Sequence, residues 1–67
     1  MEYQYDILFM KESPGQPANW FATSNPSANL GPNIHAILNQ RGHQGWRVAA
    51  MGDIALGSHA EIILIRP

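Results

Sequence analysis

The sequence predicts a single small α+β domain, with a three-stranded sheet built in β-α-β-β order and one helix packed on one face. Only the segment 30–41 has apolar residues at helical spacing, whereas 2–10, 46–51 and 60–65 alternate or run apolar as strands do. A length of 67 residues leaves room for one core only. Residues 1–67 are therefore read as one domain.

The first strand, 2–10, sets Tyr3, Tyr5, Ile7 and Phe9 on one side and Gln4, Asp6, Leu8 and Met10 on the other. The second side turns apolar only toward its end. From 11 to 29 the chain is rich in Pro, Gly, Ser and Asn (Pro14, Gly15, Pro17, Pro26), which predicts a long loop without a helix or a central strand. Loops this long are uncommon in compact domains unless they are functional or mobile. Trp20 and Phe21 lie in its middle, where they would either stack on a ligand or anchor the loop over the end of the core. A core this small needs its aromatics, which favours anchoring.

In the segment 30–41, Leu30, Ile34, Ile37, Leu38 and the stem of Arg41 fall along one helical stripe, and Asn33, His35, Asn39 and Gln40 face outward. Asn29 or Gly31 is expected to cap its start, Pro32 to sit in the first turn, and Gly42 to take the left-handed conformation that ends it. Gly45 then opens a strand with Trp46, Val48 and Ala50 on one side and Arg47, Ala49 and Met51 on the other. Gly52-Asp53 and Gly57-Ser58 punctuate the link to the last strand, so 46–65 reads as a hairpin. A right-handed crossover through the helix makes the first two strands parallel. The hairpin return then fits between them, giving strand order 1-3-2 with the last strand central.

The last strand is apolar in both directions, with Ile62 and Leu64 on one side and Ile63 and Ile65 on the other. One helix covers one side only. The pattern leaves open which parity faces the helix. Because Trp46 follows the helix so closely, Trp46, Val48 and Ala50 are assigned to the covered side, and Leu8, Met10, Ala49, Met51, Ile63 and Ile65 to an interface on the other. Composition points the same way: 13% of residues are charged and 45% hydrophobic, against about 25% charged in an average domain. No cysteine is present to staple the fold. A homo-oligomer, with a dimer favoured, or another protein partner is expected to cover the open side.

A net charge of −1, with cations at Lys11, Arg41, Arg47 and Arg66 only, offers no field for a phosphate backbone, so no nucleic acid partner is expected. No apolar run is long enough to span a bilayer, and no cationic leader precedes the first strand. These features predict a cytoplasmic protein with no membrane association.

No motif implies a cofactor. His35 and Asn39 lie one turn apart with His43 just beyond, but a metal site needs three or four convergent ligands, so none is assigned. Ser58 and His59 point to opposite sides of a strand and cannot act as nucleophile and base. Asp53 and His59 could approach across the hairpin mouth as an acid/base couple, yet a loop aspartate more often serves the turn itself. No catalytic residue is assigned.

Tyr3-Gln4-Tyr5, Leu38-Asn39 followed by Gly42-x-x-Gly45-Trp46 and an apolar strand, and a closing Ile65-Arg66 form a pattern spanning most of the chain. It resembles the small bacterial domain of unknown function family 4177. Members show a Tyr-x-Tyr strand, a helix ending Leu-Asn-x-x-Gly, and a Gly-Trp-Glu-Leu-Val strand. The chain differs in carrying Arg47 where the family commonly has Glu, and in the insertion 11–29. The resemblance implies the fold and supplies no catalytic residues.

The sequence thus leads to a small non-enzymatic α+β domain that self-associates through its helix-free sheet face. One alternative is a small-molecule-binding protein or small enzyme with a pocket between the 11–29 loop and the sheet end, lined by Trp20, Phe21, Asp53 and His59. Another is an accessory subunit docking on a different protein.

Overall fold

Strand formation follows the alternation of bulky residues, and the computed structural model describes residues 2–12, 14–15, 17–52 and 61–67. The elements are β1 (Gln4–Lys11), β2 (Asn19–Ala22), α1 (Ile34–His43), β3 (Arg47–Gly52) and β4 (Glu61–Arg66). Together they make an α+β fold of one helix and a four-stranded antiparallel sheet in the order β2-β1-β4-β3. No helix among the described residues is long and apolar enough to cross a membrane. The connection between β3 and β4, with the expected hairpin residues Asp53, Gly57 and Ser58 and the expected Asp53–His59 approach across its mouth, lies outside the described residues.

The expectation of three strands in the order 1-3-2 is corrected by β2, which forms inside the segment expected to be a loop. Pro17 and Pro26 flank it without entering it. Leu8↔Ala22, Phe9↔Phe21, Met10↔Trp20 and Lys11↔Asn19 are its pairs with β1. Its outer side is closed by the chain returning toward the helix: Trp20 N donates to Gly31 O at 2.9 Å, and Leu30 N donates to Trp20 O at 2.9 Å. Those bonds satisfy backbone groups that an edge strand otherwise presents to water or to another chain. They also explain why Leu30 and Gly31 are not helical.

The helix starts later and ends later than its apolar stripe predicts. Its N-cap is Asn33, whose side chain accepts from Ala36 N at 3.2 Å. At the other end Gly42 stays helical, and Gly45, at φ 88°, takes the left-handed position instead. Trp46 N donates to Arg41 O at 3.1 Å and Gly45 N to Gly42 O at 3.0 Å, the paired bonds of a Schellman ending. Trp46 is thereby turned directly from the helix end onto the core.

Register fixes two unlike sheet faces. Asp6, Leu8 and Met10 of β1 share a face with Trp20 and Ala22 of β2 and with Ile62 and Leu64 of β4. The helix covers this side: Leu8, Trp20, Ala22, Ile37, Ile62 and Leu64 form the buried core, with Met10, Leu30, Ile34, Leu38 and Trp46 packed against it. On the second face, Tyr5 is beside Ile65, Ile7 beside Ile63, and Phe9 lies between Phe21 and Glu61. A register shift between Val48 and Ala50 leaves Ala49 without a cross-strand partner, so Val48 and Ala50 fall on opposite faces.

Candidate interaction face

A buried carboxylate organises the helix-covered side. Asp6 sits among apolar residues in β1 and is only 2% exposed, so its charge must be met inside the fold. Ser24 Oγ and Arg41 Nη1 donate to Oδ2, each at 2.8 Å. Thr23 Oγ1 at 2.9 Å, Ser24 N at 3.1 Å and Ile7 N at 3.0 Å donate to Oδ1. The group ties β1 to the turn after β2 and to the last turn of the helix. Burial pushes the carboxyl pKa up, but hydrogen bonds from Ser24 and Thr23 and the charge of Arg41 outweigh it and hold Asp6 below the ordinary aspartate range.

This cluster of Asp, Ser, Thr and Arg is the polar constellation that sequence reading missed. Its signal was an aspartate in mid-strand and an arginine on the apolar stripe of the helix. Chemically it is closed, because an ionised carboxylate whose oxygens already accept five donors has no lone pair directed at a substrate proton. Its work is to join elements.

A second polar contact closes the far end of the same side. Arg66 stacks its guanidinium over the Trp46 ring at 4.3 Å from the centroid. Its Nε donates to Gln4 Oε1 at 2.7 Å and its Nη1 to Gln44 O at 3.0 Å, so the last residue of β4 also satisfies a carbonyl at the helix end.

The opposite face has no covering element among the described residues. Ile7 and Ile63 occupy its centre, with Tyr5 and Ile65 on one side and Phe9 and Phe21 on the other. Phe9 and Phe21 stack at 5.9 Å between centroids, and Lys11 lies over the Phe21 ring at 5.9 Å. Tyr5, at 65% exposure, is among the most open large side chains of the chain. At ~4.8 Å between strands and ~3.3 Å per residue, the apolar positions of this face, Tyr5, Ile7, Phe9, Phe21, Ala50, Ile63 and Ile65, span roughly 220 Å², with Lys11, Arg47 and Glu61 at their border.

Of the six residues expected at the interface, Ile63 and Ile65 are on this face. Leu8 and Met10 are not: they face the helix, where Leu8 is fully buried. The reason is Asp6, which shares their parity and brings that side of β1 under the helix to reach Arg41. Met51 pairs with Ile62 and so has the helix-side parity, but it is 69% exposed. Ala49 is the unpaired residue of the irregularity, and Ala50, expected under the helix, lies beside Ile63 on the open face.

The proposed ligand-binding pair is split. Trp20 anchors the 11–29 segment in the core at 6% exposure, while Phe21 points to the open face. Asp53 and His59 lie outside the described residues. His35 and His43 are exposed on the helix, and among the described residues no three His, Cys, Asp or Glu side chains converge as metal ligands do.

No protein-family model, curated protein or solved structure matches the chain.

Proposed function

We propose that this chain is a homo-oligomeric, non-enzymatic α+β module of the cytoplasm, similar to the bacterial family 4177 of unknown function, whose helix-free sheet face is covered by a second copy of itself. The observation that carries this reading is the contiguous row of Tyr5, Ile7, Phe9, Phe21, Ile63 and Ile65, which no element among the described residues covers. A sheet packed on one side by a helix and apolar on the other is half of a two-layer arrangement. Stacking two such faces at the ~10 Å spacing of packed sheets completes it.

Self-association also answers the stability problem of a short chain. Among the described residues the core rests on six buried apolar side chains, and small domains without disulfides or metals gain stability by oligomerising. The helix-side cage of Asp6 keeps β1 in register and so keeps Ile7 and Phe9 on the open side.

Ile63→Lys tests the proposal, because Ile63 is central to the open face and outside the buried core. Sedimentation equilibrium is expected to give a monomer that retains its helix and sheet by circular dichroism. A variant that keeps the parent mass and dissociation constant would overturn the reading.

A further inference from the structure

Ile7 stands at the centre of the open face, beside Ile63, yet its backbone is gripped by the Asp6 cage. The paired residues of β1 and β2 end at Leu8↔Ala22, because the chain turns at Thr23 and Ser24. Thr23 nevertheless meets both backbone groups of Ile7: its N donates to Ile7 O at 2.9 Å, and its Oγ1 accepts from Ile7 N at 3.2 Å. The hydroxyl does there what a strand carbonyl does within an antiparallel ladder. The same Oγ1 donates to Asp6 Oδ1 at 2.9 Å, and that oxygen also accepts from Ile7 N at 3.0 Å. Ile7 N, Thr23 Oγ1 and Asp6 Oδ1 thus close a triangle of hydrogen bonds, which Ser24 and Arg41 tie to the turn and to the helix.

We propose, resting on the homo-oligomeric reading above, that Thr23 is a positioning residue of the contact between copies: its hydroxyl, with the Asp6 carboxylate, fixes the Ile7 backbone and so sets the height at which the Ile7 side chain meets the second copy. Successive residues of a strand point to opposite faces. The peptide that joins Asp6 to Ile7 therefore links the cage on one side of the sheet to the centre of the contact on the other. Packed apolar surfaces are sensitive to such a height, since a gap of about 0.5–1 Å forfeits a quarter to a half of a van der Waals contact. Thr23→Val keeps the branched shape of the side chain and removes both of its hydrogen bonds. Ile7 N is then left with Asp6 Oδ1 alone, and the residue is free to shift relative to Ile63.

The test is the dimer dissociation constant from sedimentation equilibrium, taken where circular dichroism shows each variant folded. Thr23→Val is expected to raise it by about 10-fold, Thr23→Ala to match that loss, and Thr23→Ser, which keeps the hydroxyl, to stay within about twofold of the parent. The sign is informative, because a Thr23 that merely touched the second copy would bind it more tightly as the more apolar valine. In an Ile7→Ala background the side chain being positioned is gone, so Thr23→Val should then change the constant by less than about twofold. Ile37→Val trims a buried helix residue outside the triangle and controls for lost stability; it too is expected to stay within about twofold. A Thr23→Val constant at or below the parent's, an undiminished effect in Ile7→Ala, or an equal rise in Ile37→Val overturns the proposal. If Ile63→Lys is monomeric in that event, the face reading stands and only the role of Thr23 falls; if Ile63→Lys keeps the parent mass, both fall.

Discussion

Asp6 on the first strand and Arg41 at the end of the helix, 35 residues apart, meet at 2.8 Å under the turn that follows β2. The pair decides which way β1 faces. With the carboxylate under the helix, Leu8 is driven into the core, and Ile7 and Phe9 are driven out onto the open sheet face.

Removing the carboxylate should therefore cost more than its size suggests. Asp6→Ala leaves Arg41 and two hydroxyls without their acceptor and is expected to lose about 3–5 kcal/mol, as when one member of a buried pair is deleted. Asp6→Asn, which keeps the shape and part of the hydrogen bonding, is expected to lose less. Urea denaturation of both variants checks the order; equal losses would mean that packing, not charge, holds the turn.

Acid sensitivity follows from the same group. The folded pKa of Asp6 lies below its ordinary value of 3.8, so the unfolded chain binds the proton more readily than the folded one. The stabilisation is complete well above 3.8 and is lost as pH falls through the lower folded value. Thermal melts from pH 6 to pH 2 should show this acid limb in the parent and a shallower one in Asp6→Asn.

The two glycines at the helix end should respond oppositely to alanine. Gly42 is helical with open space where a Cβ would go, so Gly42→Ala is expected to stabilise by about 0.5–1 kcal/mol. Gly45 has equally open space but sits at φ 88°, so Gly45→Ala is expected to destabilise by about 1–2 kcal/mol. Matching effects of one sign would show that the Schellman ending is not where the structure puts it.

Trp20 and Phe21, adjacent in sequence, should separate by readout. Trp20→Ala empties the core and is expected to cost about 3–5 kcal/mol, most of the stability of a domain this size. Phe21→Ala removes a ring from the open face and should weaken association more than folding. Chemical denaturation alongside sedimentation separates the two.

Much of this was legible in the residues. The period of two in 2–10 and the helical stripe from Ile34 to Arg41 reflect burial directly, and both elements formed near their expected places. The β2 strand was hidden because composition is averaged over a segment, while Asn19–Ala22 is a four-residue window between prolines, given its structure by partners on both sides. The interface list lost Leu8 and Met10 for a related reason. Parity is a tertiary choice, made here by an aspartate whose donors, Thr23, Ser24 and Arg41, are 17 to 35 positions away. Gly42 and Gly45 were both credible helix stops, and only the backbone bonds of Trp46 and Gly45 separate them.

The central claim is that a second copy covers the open face, and native mass spectrometry of the unaltered chain across a dilution series tests it most directly. The account predicts a species of twice the 7.4 kDa chain mass that persists on dilution into the micromolar range and gives way to monomer only below it. A 7.4 kDa monomer at every concentration, with its melting temperature independent of dilution, would contradict it.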